Sequence, residues 1–420
     1  MELLETNFKG VLNMLYFDYT KELTGLQGII IEKIERNDLT TTIHIKMERK
    51  LTKCPCCGEL TDTIHDYRTQ LVKDIPAFGN NVILSIKKRR YRCLHCNKRF
   101  IEDISFLPRY YRMTNRLTMY ILDKLGEERS FSSVAHEVQL SVSTIIRVFD
   151  LVSYIAPKSL PSVIAIDEFK GNTGDEKYQC ILTNPQTGEI LDILPTRNSS
   201  DLIKYLKKYT LEERCNVKYF VSDMWKPYAD LSTIFFKSAT QIIDKYHFVR
   251  QCVWAFENVR KQEQKKYSAQ CRKLFKNSKR ILTKRYSKLN DAEKQRLNSV
   301  LYISSELLCA YRLKEDFYRI LDCEDRETAK QMMSDWILDA QNSQLTEYEK
   351  CASTMINWQT GILNSFTVPY TNGFTEGCNN RIKVIKRISY GYRNFKRFRN
   401  RILHIFRNQH PERYKTKVAA

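Results

Sequence analysis

The chain has 420 residues, with 69 Lys+Arg against 48 Asp+Glu, a formal net charge of +21 and a pI near 9.3, the balance of a protein that meets a polyanion. Its 42% hydrophobic and 11% aromatic content supplies packed cores and excludes wholesale disorder, while 13 Gly and 10 Pro, about half the usual share, exclude collagen-like and low-complexity chains. No run approaches the ~20 apolar residues of a membrane span, and Met1-Glu-Leu-Leu-Glu-Thr6 lacks a signal-peptide layout, so a soluble intracellular protein of about three domains is expected, with no membrane partner.

In chain order, residues 28–48 read as a hairpin, with Ile43, Ile45 and Met47 at period two and Asn37-Asp38 as the turn. The cysteines come next. Of 13, five lie between Cys54 and Cys96 and eight are scattered singly, a pattern of a reducing compartment plus one metal site. Cys54 and Cys57, then Cys93 and Cys96, form two C-x2-C pairs separated by 35 residues, the spacing of tetrahedral structural Zn2+. Cys56 and His95 are close enough to substitute, so the fourth ligand stays open. Val82–Ile86 is a further strand running into Lys87-Lys-Arg-Arg-Tyr-Arg-Cys93, and residues 1–108 form one β-rich metal-binding domain.

From Thr114 the apolar period becomes helical. Ser130 to Phe149 has the pattern of a helix-turn-helix: small Ala135 where helices approach, Leu140 in the turn and Ser141 as cap. If Ile145, Phe149 and Val152 face inward, Ser143, Thr144 and Arg147 face out, as on a recognition helix in the major groove. Residues 109–156 make this module, and Pro157 and Pro161 mark a linker.

Five short apolar runs follow, Val163–Ile166, Tyr178–Leu182, Ile190–Leu194, Tyr219–Val221 and Gln241–Ile243. The first three are joined by turns and the later ones by helix, a mixed α/β sheet. Asp167 and Asp223 each close one of these runs, and an unpaired buried carboxylate needs a partner. Glu376 opens a helix on which Asn379, Asn380, Lys383 and Arg387 follow at helical spacing. Three carboxylates suit hard divalent cations. Two Mg2+ (or Mn2+) ions, bridged by Asp167 with Asp223 on one and Glu376 on the other, would activate a water or 3′-hydroxyl for in-line attack on a phosphodiester. Glu168 should point to the opposite side of its strand.

Cys54-Pro-Cys-Cys-Gly58, His65-Asp-Tyr-Arg68, Arg89-Arg-Tyr-Arg-Cys93, Ala165-Ile-Asp-Glu-Phe169, Ser222-Asp-Met-Trp225, Asp244-Lys-Tyr-His247 and Asn372-Gly-Phe-Thr-Glu-Gly-Cys-Asn-Asn380 together resemble the DDE transposases of bacterial insertion sequences, specifically the ISL-three family. The resemblance covers nearly the whole chain. It implies a multidomain α+β and α/β fold: an N-terminal zinc ribbon, a helix-turn-helix, and a ribonuclease-H-like core interrupted by an all-helical insertion. The core would comprise residues 157–247 and 367–420, and the insertion 248–366. The resemblance implies catalysis by Asp167, Asp223 and Glu376, with His247 helping to position the scissile phosphate. Its partners would be double-stranded DNA, as terminal inverted repeats and target, and further copies of the chain in a homodimer or larger oligomer, with no small-molecule substrate. The setting would be the bacterial cytoplasm. Two rivals share these features, a DNA-binding regulator without catalysis and a nuclease without a joining step.

Two one-sided basic tracts complete the reading. Residues 258–288 hold 12 Lys+Arg against one acid and residues 381–417 hold 13 against one, a pattern that favours phosphate contact. Lys386, Arg393 and Lys396 join Asn379, Asn380, Lys383 and Arg387 as DNA-contact candidates. Of the four tryptophans, Trp225, Trp254, Trp336 and Trp358, all read as core, with Trp254 the one candidate for base stacking.

Overall fold

The structure, a computed structural model, describes residues 24–174 and 176–414, so the N-terminal residues read for a signal layout and the last basic residues lie outside it. The chain divides into two units, Met1–Ser153 and Tyr154–Ala420.

In the first unit the expected hairpin forms from β1 (Ile29–Arg36) and β2 (Thr40–Met47), paired antiparallel. Asn37 Oδ1 accepts from the Thr40 backbone N–H at 2.8 Å and so closes the turn. Two small strands, β3 (Thr52–Lys53) and β4 (Leu60–Thr61), carry the first cysteine pair between them. A long hairpin then loops out, β5 (Ile64–Ala77) against β6 (Asn80–Arg92). Its two-residue turn, Phe78-Gly79, has both residues in the left-handed region, the geometry that matches strand twist. The strand foreseen at Val82–Ile86 thus extends through the basic run to Arg92, because β5 supplies an antiparallel partner along its length. β7 (Arg99–Ile101) pairs with the end of β6. Ile29, Ile45, Val72, Leu84 and Ile86 are buried on one face.

The helical module of this unit consists of α1 (Asn115–Leu125), α2 (Phe131–Glu137) and α3 (Val142–Phe149). Each opens on a hydroxyl cap, with Thr114, Ser130 and Ser141 accepting from the backbone N–H groups of Leu117, Ser133 and Thr144. Gln139 takes the left-handed conformation that turns α2 into α3. Buried Asp74 of β5 ties the sheet to α1 through Thr114 Oγ1 at 2.7 Å and Arg116 Nε at 2.7 Å.

The second unit is built on a five-stranded sheet, ordered β10-β9-β8-β11-β12. β8 (Val163–Phe169), β9 (Gln179–Asn184) and β10 (Glu189–Leu194) form the antiparallel meander, and β11 (Tyr219–Ser222) and β12 (Thr240–Ile243) add parallel to β8. These are the order and directions of a ribonuclease-H-like core. Period two divides β8 between faces. Ile164 and Ile166 pack with Leu202, Tyr205 and Leu206 of α4 (Ser199–Leu206) and Tyr228 and Leu231 of α6 (Lys226–Phe235), while Val163 and Ala165 lie with Val221 on the other face. The short α5 (Leu211–Cys215) leads into β11.

After β12 the chain is helical: α7 (Lys245–Glu263), α8 (Ala269–Asn277), α9 (Lys279–Thr283), α10 (Asp291–Leu301), α11 (Ser305–Ile320), α12 (Arg326–Asn342) and α13 (Thr346–Asn364). They share one core, in which Phe248, Phe317, Met333, Trp336 and Tyr348 are buried. Lys314 is fully buried there. Its ammonium donates to the carbonyls of Leu282 and Lys284 at 2.8 and 3.0 Å and pairs with Glu315 at 2.7 Å. α14 (Gly373–Ile388) and α15 (Phe395–Gln409) return to the sheet, followed by the single turn α16 (Pro411–Tyr414). Among the described residues no helix is long and apolar enough to cross a membrane.

Candidate active site and nucleic-acid interface

The parallel register of β8 and β11 opposes Ala165 to Val221. Two residues further on come Asp167, still within β8, and Asp223, just past the end of β11 on the neighbouring strand. By strand alternation Asp167 continues the face of Ala165, opposite the α4/α6 core, and there it accepts from Asn379 of α14. On that face Thr375 of α14 meets Thr183 of β9 at 2.8 Å, with both hydroxyls buried. One residue on, Glu376 lies in the first turn of α14. Glu168, by the same alternation, turns to the other side, where its carboxylate accepts from Arg197 at 3.1 Å and from the Tyr228 hydroxyl at 3.4 Å.

The charges of Asp223 and Glu376 act on Asp167, while the close cluster of ligand atoms joins Glu376 to Asp244 and His247. Burial, reinforced by the charges of Glu168, Asp223 and Glu376 and opposed by the Glu168 backbone N–H, pushes Asp167 up to about 7. Burial and the Glu168 charge raise Asp223 to about 6, against the pull of His247, the Trp225 backbone N–H and Arg197. Carboxyls that retain protons near neutral pH where several meet are groups that a divalent cation ionises.

The structure brings Glu376 and His247, both expected from sequence, together with Asp244 of the same motif. Asp244, Glu376 and His247 present donor atoms within 4.8 Å of one another, and His247 Nε2 stands 4.0 Å from Glu376 Oε1. Asp244 is buried and caps α7 by accepting from the Tyr246 backbone N–H, while its other oxygen accepts from the Asn372 backbone N–H at 2.8 Å. Asn372 in turn donates through Nδ2 to the Ile166 carbonyl at 3.3 Å. Asn379, read from sequence as a DNA contact, is buried and donates to Asp167 Oδ2 at 2.8 Å. Its side chain is turned inward, whereas Asn380, Lys383 and Arg387 are exposed on α14. His247 Nε2 and Asn379 Oδ1 are buried with no hydrogen-bond partner, so the cluster retains unused ligand and donor capacity. The signals were present in the Asp244-x2-His247 and Asn372 to Asn380 motifs, but spacing alone did not say which members face inward.

In the first unit, Cys54, Cys57, Cys93 and Cys96 bring four sulfurs within 4.8 Å, with Cys54 to Cys96 and Cys57 to Cys93 both at 3.5 Å. Tetrahedral zinc with ~2.3 Å bonds needs sulfurs about 3.8 Å apart, so the set fits the ion. Cys56 is exposed and outside the cluster. It contributes its backbone N–H, which donates to Cys54 Sγ at 3.4 Å. Burial pushes the Cys54 thiol up, but the backbone N–H groups of Cys57 and Cys56 outweigh it and hold the thiol at about 6. On α3, Ser143 and Arg147 are exposed and Thr144 is half-buried, with its hydroxyl 2.9 Å from Ser141 Oγ.

The basic tracts are less open than their composition suggests. Arg260, Lys266, Lys279, Arg280, Lys284 and Arg285 all pair with acids of the helical block, among them Glu257, Glu293 and Asp322. In the second tract Arg399 is held by buried Asp192 at 2.6 Å, and Lys386 donates to the Lys170 carbonyl at 2.8 Å. Arg393 and Lys396 are both exposed.

A cysteine-clustered ribbon, a capped helix-turn-helix and a carboxylate-bearing ribonuclease-H-like sheet on one chain define a DNA-transposing enzyme. The chain belongs to the transposase family ISL3. Residues 164–402 match the family's transposase domain, residues 50–96 the zinc-finger of transposase IS204/IS1001/IS1096/IS1165, and residues 102–153 the helix-turn-helix domain of transposase family ISL3. It is also 26% identical over 385 residues to the transposase for insertion sequence element IS1001 of Bordetella parapertussis, across 89% of this chain and 94% of that protein.

Proposed function

We propose that this transposase binds the terminal inverted repeats of its insertion sequence and cleaves and joins DNA strands at a metal site formed by Asp167, Asp223 and Glu376. The pairing of the strand that holds Asp167 with the strand that leads to Asp223, and the hydrogen bond to Asp167 from Asn379 of the helix that opens with Glu376, carry the reading. Mg2+ or Mn2+ bound by these carboxylates would supply nucleophile activation and charge stabilisation at the phosphodiester. The protein's own groups divide the remaining work. Asn379 holds one oxygen of Asp167 and the Glu168 backbone N–H the other, which fixes the carboxylate's plane. Asp244, locked by two backbone N–H groups, sets the start of α7 and with it His247. His247 Nε2, buried without a hydrogen bond and 4.0 Å from Glu376 Oε1, would hold a phosphate oxygen beside Glu376.

Structural Zn2+ on Cys54, Cys57, Cys93 and Cys96 fixes the ribbon. Ser143, Thr144 and Arg147 read bases in the major groove, and Asn380, Lys383, Arg387, Arg393 and Lys396 contact phosphates. Pairing two element ends calls for a homodimer or larger assembly, in the bacterial cytoplasm where the DNA lies. The proposed domain bounds are those expected from sequence: residues 1–108, 109–156, a core of 157–247 and 367–420, and an insertion of 248–366. The test is incubation of purified protein with DNA carrying the ends that flank its gene and Mg2+. Cut ends and joined products are expected from the parent chain and neither from Asp223→Asn, with specific end binding retained. Cleavage by Asp223→Asn refutes the site, and cutting without joining leaves a nuclease.

A further inference from the structure

Helix α7 leaves the catalytic cluster from its cap, Asp244. Of residues 245–260 only Tyr246, Arg250 and Trp254 are exposed; the others are buried or half-buried. These three are successive i, i+4 neighbours and form one stripe. At 1.5 Å per residue the stripe is about 12 Å long. It begins beside His247, whose ring meets that of Tyr246 edge-on at 5.6 Å. It ends at Trp254, where the Arg250 guanidinium lies 5.1 Å from the ring centre. Tyr246 and Trp254 are 57% and 53% exposed, so the sequence reading of Trp254 as core does not hold, although Trp336 is buried as expected.

A single exposed aromatic needs no explanation. Here the solvent-facing stripe of residues 245–260 in a long helix holds two aromatics and an arginine, with no acid, and starts at the cleavage chemistry. Duplex backbone is met by cations, which makes two aromatic rings redundant. Unpaired bases, by contrast, stack on aromatic rings and guanidinium planes while their phosphates favour a positive surface. We infer that Tyr246, Arg250 and Trp254 form a stacking platform for unpaired bases of the DNA strand next to the scissile phosphate. The inference rests on the reading of Asp167, Asp223 and Glu376 as the cleavage site.

The experiment measures binding of the full chain to a short labelled oligothymidylate and to a duplex of the same length, with 2-aminopurine in the single strand as a stacking reporter. Trp254→Ala should weaken oligothymidylate binding on the order of tenfold, leave duplex binding almost unchanged and abolish quenching of 2-aminopurine. Trp254→Phe should restore most of both, and Tyr246→Ala should reproduce a smaller loss. Unchanged oligothymidylate affinity in Trp254→Ala overturns the platform, as does an equal loss on both forms of DNA. So does a fall in oligomer size on sedimentation, which would assign the stripe to a protein contact. Cleavage by Asp223→Asn would instead remove the catalytic reading and leave the stacking result standing.

Discussion

Asp223 shows how one residue trades stability for chemistry. Its carboxyl is held at about 6 and that of Asp167 at about 7, both above the ~3.9 of a free aspartate. A raised acid binds its proton more tightly in the folded than in the unfolded chain. Its contribution is therefore complete below about pH 4 and is lost as pH rises through 6 to 7. Metal-free Asp223→Asn should be about 1–3 kcal/mol more stable than the parent at pH 8 and no more stable at pH 4, measured by denaturant unfolding in chelator. Added Mg2+ should raise the parent's midpoint more at pH 8 than at pH 5 and leave the variant's unmoved. Asn379→Ala should lower the cleavage rate and raise the Mg2+ concentration needed, without weakening end binding, because it frees Asp167 and touches no exposed surface. The placement of Asp167 late in β8, of Asp223 just past β11 and of Glu376 in a helix's first turn was legible in the sequence because apolar runs and helical spacing are local signals. The inward turn of Asn379 was not. On a helix, residues three and four positions past Glu376 lie on either side of it, and only the packed sheet shows that Asn379 is the one facing β8.

At the scale of elements, α13 meets β12 at Gly361, where an added Cβ would lie 2.7 Å from Ile243 Cγ1. Alanine normally favours a helix over glycine by up to ~1 kcal/mol. Gly361→Ala should nevertheless destabilise the protein by about 1–3 kcal/mol, seen as a lower unfolding midpoint. It should also slow cleavage, since Ile243 directly precedes Asp244. The hairpin, the capped helices and the five strands were legible because period two, hydroxyl caps and turn residues are local signals. The partners of the basic tract were not: Arg285 finds Asp322 37 residues away, and Lys284 finds Glu293 only once α9 and α10 fold together.

For the whole molecule, that pairing redistributes the charge of +21. Half of the insertion's basic run is already matched, so salt sensitivity should come from other surfaces. The double variant Lys383→Ala/Arg387→Ala should flatten the slope of log affinity against log salt by about 1.8, at ~0.9 per phosphate contact, whereas Lys284→Ala should leave the slope unchanged in binding titrations. Zinc supplies a separate check: Cys57→Ser should lose the bound metal and Cys56→Ser should retain it, by elemental analysis. The bond between Asp244 and the Asn372 backbone carries a last consequence. It fastens the chain where the helical block departs and where it comes back, and Asn364 Nδ2 adds a second tie to the Gln241 carbonyl at 2.8 Å. These two ties join the entry and exit of the block independently of what lies between them. Closing a longer or shorter loop costs only ~0.6 kcal/mol per doubling of length, so lengthening a connection inside the block should leave Asn372, and the helix that follows it, fastened to Asp244.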